Sequence, residues 1–339
     1  MSHKNHSRRS FLAQSALAGA GLFFAKDLAA LTNAKPKGVL LGAITYSFRS
    51  MPGTIDDLIG YCKTCGINAI ELMGDPAEAY AGNPFANTGP MRMGPPPAGG
   101  APGQRPQMTD EQRKSFAERA QKTKEWRETV GMEKFAEIKK KFADAGVTIY
   151  AYKPNALGEN NSDGEIEYAM KAAKALGATS VTVELPSKSA HSKRLGDIAA
   201  KHKVYVGYHA HLQATDTAWD EALAQSPYNS MNLDCGHYIA AGGNNTKESL
   251  LALIEAKHDR ITSIHLKDRK NKANGGANVE WGKGDTPIVE ILQLIKKNKY
   301  KIPISVEYEY ETPAGSDAIQ EVKKCIDYAK KGAQLSAFF

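Results

Sequence analysis

The chain has 339 residues, 42% of them hydrophobic and 24% charged, with a formal charge of +7. That length and balance suit a large folded domain and exclude a disordered or low-complexity protein. Four cysteines are too few for a disulfide framework in a chain of this size.

Residues 1–25, MSHKNHSRRSFLAQSALAGAGLFFA, run from a basic start through Arg8, Arg9, Ser10, Phe11 and Leu12 into a short Ala/Gly/Leu/Phe stretch. This is the order of an export signal. The paired arginines before Phe-Leu resemble the twin-arginine signal, which exports folded proteins. The apolar stretch is shorter than the roughly 20 residues a spanning helix needs. We expect a signal over residues 1–30 and a periplasmic or secreted protein with no stable membrane anchor. Removing those residues takes away four basic and one acidic side chain, leaving +4. So mild an excess gives no reason to expect a nucleic-acid partner.

The first strand-like run is VLLGAIT (39–45), followed by the helical pattern IDDLIGYCKTC and its stop at Gly66. Cys62 and Cys65 form a C-x-x-C inside that helix. No second C-x-x-C completes a zinc site, so they read as two small buried residues on one helical face. NAIEL (68–72) is the second strand. Residues 84–106 then carry seven of the sixteen prolines and form neither helix nor paired strand. A charged helical stretch with a break near Gly131 follows. The second connection is therefore enlarged, by a disordered insertion or by a lid over the face to which a barrel strand leads. VTIYAY (147–152), SVTVEL (180–185), VYVGYH (204–209), YNSMNLD (228–234), ITSIHL (261–266) and PISVEY (303–308) complete the strands, with helical segments between them. This alternation predicts an α/β fold, a single (β/α)8 TIM barrel over residues 38–333. An open doubly wound sheet is the competing topology, but no G-x-G-x-x-G follows the first strand.

In such a barrel the C-terminal strand ends meet at one mouth. Here those ends carry Glu71, Lys153 and Glu184, then His209 and His211, then Asp234 and His237, then His265, and last Glu307. A single carboxylate at a strand end is ordinarily a helix cap or a solvated turn residue. Repetition around a whole ring is not explained that way. Three carboxylates and a histidine facing one point repel one another unless something positive sits among them. One divalent cation does this most simply, and Glu, Asp and His without thiolate suit Mn, Co, Mg or Zn.

The chain resembles the xylose isomerase-like barrel superfamily of sugar isomerases and epimerases, which also holds inosose dehydratases and type IV AP endonucleases. The likeness rests on ITYSF (44–48), NAIEL, VEL (183–185), GYHAH (207–211), NLDCGHYIAAG (232–242), IHLKD (264–268), GKGD (282–285) and ISVEYE (304–309). It implies one metal ion held by Glu184, Asp234, His265 and Glu307. Glu71, Lys153, His211, His237 and Lys267 would then face a small-molecule sugar. Ketose 3-epimerases of the family carry a ligand Glu on strand five, where this chain has Gly207 and offers Glu184 one strand earlier. The endonucleases need histidines on strands two and three, where this chain ends in Glu71 and Lys153.

The implied reaction is proton abstraction next to a sugar carbonyl, with Glu184 and Glu307 as the acid–base pair and His209 as a further candidate base. Return of the proton makes an isomerase or epimerase. Loss of a β-substituent makes a dehydratase or a lyase on keto-sugars and 3-keto-glycosides. A non-catalytic sugar-binding barrel is the reading outside enzymes. A homo-oligomer is compatible with all three.

Overall fold

The structure, a computed structural model, describes residues 40–90 and 108–334. The candidate export signal and residues 91–106 of the proline-rich insertion lie outside the described residues. The described chain runs β1 (Leu41–Ile44), α1 (Ile55–Cys65), β2 (Ala69–Met73), α2 (Gly74–Tyr80), α3 (Asp110–Thr129), α4 (Glu133–Asp144) and β3 (Thr148–Lys153). It continues through α5 (Asp163–Leu176), β4 (Ser180–Glu184), α6 (Ser189–His202), β5 (Tyr205–His209), α7 (Asp220–Gln225), β6 (Asn229–Asp234) and α8 (Cys235–Ala241). The last elements are α9 (Lys247–Lys257), β7 (Ile261–Leu266), α10 (Ile288–Asn298), β8 (Ile304–Val306) and α11 (Ala318–Gly332). All eight strands pair in parallel with their sequence neighbours, and β8 closes on β1. This is the (β/α)8 barrel that the alternation predicts.

Local chemistry sets the helix ends. Thr54 with Asp57, Thr109 with Gln112 and Ser162 with Glu165 form reciprocal caps at the starts of α1, α3 and α5. Gly66 and Gly177 take left-handed conformations at the ends of α1 and α5. Two further helices, α6 and α10, stop on left-handed Lys203 and Lys299, where no glycine marks the end in the sequence.

The extra helix that follows the insertion is tied down by charge. Arg127, on α3, is buried, with its Nε 2.9 Å from Glu78 of α2 and one Nη 3.1 Å from Glu165 of α5. Its guanidinium also donates to the Asn155 carbonyl at 3.0 Å. The extra helix is thus held against the barrel by one cation shared between two buried carboxylates, an arrangement whose partners cannot be removed singly without large cost. Cys62 and Cys65 are both buried and unbridged. Burial pushes each thiol up to about 12, so neither supplies a reactive thiolate. Among the described residues no helix is long and apolar enough to cross a membrane.

Candidate functional site

Strand β6 ends on Asp234, and the next three residues begin α8. One oxygen of Asp234, Oδ1, accepts the His237 backbone N–H at 2.7 Å and caps that helix. The Asp-x-x-His spacing is therefore a capping spacing, and it leaves the second oxygen, Oδ2, free to face the barrel mouth. Gly236 between them has its own reason. A Cβ there would lie 2.5 Å from Cγ of Lys267 and 2.8 Å from the Lys267 carbonyl oxygen. Only glycine lets the chain that leaves β7 pass so close.

Lys267, just past the end of β7, sits at the centre of the anionic groups. Its buried ammonium lies 2.8 Å from Glu307 Oε2, 2.5 Å from Glu309 Oε2, 3.0 Å from Asp234 Oδ2 and 3.0 Å from His237 Nε2. Burial works against that charge, but Asp234, Glu307 and Glu309 outweigh it and hold the amine above its ordinary range. His265 of β7 is fully buried, with Nε2 2.8 Å from Glu71 and Nδ1 3.2 Å from Glu307. Burial again opposes its charge, yet Glu71 and Glu307 raise it to about 10. Asp234 moves the other way from a normal carboxylate. Burial pushes it up to about 7, with the Lys267 ammonium opposing. Glu307 is also disfavoured by burial, but Lys267 and His265 keep it well below the carboxylate range.

His209, at the end of β5, stands on the other side of Asp234 with Nε2 3.8 Å from Oδ2. Burial, with His265 and Lys153 nearby, holds it neutral. His237 is kept neutral too: burial and then Lys267 push it down to about 2. Its Nδ1 is 2.6 Å from the Arg269 guanidinium, so each ring nitrogen faces a cation. Beside them Asp268 organises the GKGD loop by accepting the backbone N–H groups of Gly282 and Gly284 at 2.8 and 2.9 Å.

Two groups of potential ligand atoms come within 4.8 Å of one another among the described residues. One is His209, Asp234, His265 and Glu307, all buried, and the other is His209, His211 and His237. The imidazole trio is the poorer ligand set, because it brings no carboxylate to offset a dication and both nitrogens of His237 face cations. Of the four residues implied to share a metal, Asp234, His265 and Glu307 converge. Glu184 lies outside that group, and His209 stands within it. The Glu184 side chain is 52% exposed, with Lys153 at 3.0 Å and His211 at 3.5 Å. Glu71 backs His265, and Lys153 pairs with Glu184 instead of the buried group. Gly207 has no room for the strand-five carboxylate of the 3-epimerases, since a Cβ there would meet Thr262 Oγ1 at 2.9 Å.

Glu309, Arg269, Asn232 and Ser263 join the site without being expected from the sequence. Period-two spacing signals two of them: Glu309 is two residues past Glu307, and Asn232 two before Asp234. An internal counter-charge is equally unexpected: Lys267 and His265 already supply positive charge among the carboxylates.

The converging group fits a divalent ion. Asp234 Oδ2 is buried with no hydrogen bond, its contact to Lys267 being a charge contact without hydrogen-bond alignment. His265 Nδ1 and Glu307 Oε2 are spaced as two ligands of one ion are, with Glu71 holding the other His265 nitrogen from behind. Two nitrogens and two carboxylates form a donor set for Mn, Co or Zn, and less well for Mg. Such an ion competes with protons. Below pH about 6, both Asp234 and His265 hold a proton in the metal-free protein, and ion binding displaces both. We expect about two protons released near pH 6 and about one near pH 8.5, where only His265 remains protonated. Titration calorimetry of Mn²⁺ binding in buffers of different ionisation heat measures this directly. Heats that do not depend on the buffer would rule out both groups as ligands. The same shifts act on folding: raised values contribute stability that is full below the unfolded values. It is lost as pH climbs through about 7 for Asp234 and about 10 for His265.

A closed parallel barrel whose strand ends bring imidazoles and carboxylates to one mouth defines a TIM barrel with a candidate metal site. The chain belongs to the xylose isomerase-like TIM barrel family, whose model matches residues 59–331. Among solved structures it is similar to a sugar phosphate isomerase/epimerase from Parabacteroides distasonis, at 15% identity and a TM-score of 0.51, over 91% of this chain and 97% of that one. It is also similar to the probable 3-DHS dehydratase AsbF from Bacillus anthracis, at 16% identity and a TM-score of 0.56, over 85% and 97%. A third is the 3-keto-D-glucoside 4-epimerase YcjR from E. coli, at 12% identity and a TM-score of 0.54, over 86% and 99%. At these identities the likeness is one of fold. No curated protein sequence matches the chain.

Proposed function

We propose that the protein is a sugar isomerase or epimerase that removes a proton next to a carbonyl, using one divalent metal ion (Mn, Co, Mg or Zn). The observation that carries this reading is the convergence of His209, Asp234, His265 and Glu307 within 4.8 Å at the C-terminal mouth of the barrel. These four side chains would hold the ion, which when bound supplies Lewis-acid polarisation of substrate oxygens.

The remaining residues divide the work by position. Glu307 is a poor base, because Lys267 and His265 stabilise its ionised form. Glu184 is the carboxylate open to the mouth, and it takes the substrate proton. Lys153, 3.0 Å away, steadies the Glu184 charge and stands where it can hand a proton back. His211, half-exposed beside Glu184, orients the sugar hydroxyls, while Lys267, buried between carboxylates, holds Glu307 and Glu309 in place. The Lys153–Glu184 pair also supports a second reading, a dehydratase or keto-glycoside lyase. Elimination begins with the same abstraction, and the ammonium is a donor for the departing oxygen. The N-terminal Arg8-Arg9 segment supports export to the periplasm or beyond.

Metal content of the purified protein, followed by incubation with free ketoses and keto-glycosides in heavy water, tests this reading. We expect metal-dependent deuterium at the carbon next to the carbonyl, with release of the aglycone marking the lyase. A metal-loaded protein that exchanges no proton on any of these sugars would instead be a binding barrel.

A further inference from the structure

One buried contact beside His209 takes no part in that chemistry. Asn232 lies on β6, two residues before Asp234, and its side chain is fully buried between His209 and Ser263. Its carbonyl oxygen Oδ1 is 2.7 Å from His209 Nδ1, and its amide nitrogen Nδ2 donates to Ser263 Oγ on β7 at 2.7 Å. The relay runs from β7 through β6 to β5, and it ends on the one histidine that belongs to both groups of potential ligands.

We infer that Asn232, oriented by Ser263, is a positioning residue that decides which nitrogen of His209 carries the proton. A neutral imidazole has one N–H and one lone pair. With its amide nitrogen committed to Ser263, Asn232 turns a carbonyl oxygen toward His209. That oxygen accepts, so the proton resides on Nδ1. The lone pair is then on Nε2, the nitrogen that faces Asp234 Oδ2 at 3.8 Å. His209 is thereby presented as a ligand before any ion arrives.

The choice of an amide matters. A carboxylate at position 232 would orient the ring equally well, but it would add a negative charge beside Asp234, Glu307 and Glu71. It would also favour a second proton on His209, and an imidazolium has no lone pair to offer. Asparagine fixes the orientation and leaves the charge of the cluster unchanged. On the opposite side Glu71 performs the matching task for His265 Nε2. One ring is thus backed by a neutral amide and the other by an anion.

This inference rests on the proposed use of His209 as a metal ligand, and its test can be read without any sugar turnover. Long-range ¹H–¹⁵N correlation spectra of protein labelled at the histidine rings report the tautomer, with His209→Gln assigning the signal. In the wild-type protein, metal-free and Zn²⁺-loaded, we expect a proton on Nδ1 and none on Nε2. Ser263→Ala frees the amide to turn over, and we expect mixed tautomers and weaker Zn²⁺ binding. Asn232→Leu removes the acceptor, and we expect Zn²⁺ affinity to fall about 10–100-fold. A wild-type spectrum with the proton on Nε2 overturns the inference whether or not the variants fold. So does an Asn232→Leu protein with unchanged tautomer and unchanged Zn²⁺ affinity. If the tautomer is as expected but no sugar is turned over, the relay stands and the isomerase reading fails. If sugar is turned over by a protein with Nε2–H, the reverse holds.

Discussion

Lys267→Met is expected to destabilise the metal-free protein by about 3–5 kcal/mol, one of the largest effects of any single substitution outside the apolar core. The ammonium is 3% exposed and lies within 3.0 Å of Asp234, Glu307 and Glu309. Methionine keeps the length of the stem that packs beside Gly236 and removes the charge alone. Three carboxylates are then left crowded with His265, and less closely Lys153, to compensate them. The carboxylates can relieve the repulsion by taking up protons, Asp234 first, since burial already raises it to about 7. The loss should therefore be smaller near pH 6 than near pH 8, and added Mn²⁺ should restore part of it. Urea unfolding at both pH values, with and without Mn²⁺, gives all four numbers. A variant as stable as wild type at pH 8 would show that the carboxylates do not depend on this cation.

Glu307→Gln is expected to act chiefly on binding and turnover, with a smaller cost in stability because Lys267 and His265 favour the ionised carboxyl that it removes. The substitution takes one negative charge from a cluster rich in carboxylates, and Lys267 keeps Asp234 and Glu309 as partners. An uncharged amide is a much weaker ligand for a hard or borderline cation than a carboxylate. We expect metal affinity to fall by more than about 100-fold and proton exchange on the sugar by about 10²–10⁴-fold. His265 loses one of its two carboxylate neighbours, so its value should drop from about 10 toward the ordinary imidazole range. Metal analysis after dialysis and the heavy-water exchange rate are the measurements. Survival of both at wild-type levels would remove Glu307, and with it this site, from the chemistry.

The two substitutions probe parts of the site that differ in how far the sequence shows them. Glu307, His265 and Asp234 each follow an apolar run, and a parallel barrel turns every strand's C-terminal end toward the same mouth. Their convergence is thus legible from strand order alone. The role of Lys267 is not. The IHLKD motif places it near the mouth, but a lysine there is as compatible with touching substrate as with neutralising three carboxylates. Glu309 follows from its period-two spacing to Glu307 just past β8, whereas Arg269 reaches His237 only because loop 268–286 folds back over α8. The insertion shows the same division. Proline content marks residues 84–106 as irregular, yet nothing local says that Arg127 on the next helix would be buried against Glu78 and Glu165.

By itself the sequence determined the barrel and the list of side chains at its mouth. Strand and helix periodicity, helix caps and strand ends are properties of short stretches, and parallel closure does the rest. Tertiary structure alone decided which of those side chains share a point. Glu184 and His209 end neighbouring strands in register with each other, yet the carboxylate is exposed with Lys153 and the imidazole is buried beside Asp234. Depth in the barrel and the nearest opposite charge separate them. Both depend on residues distant in sequence that packing brings near.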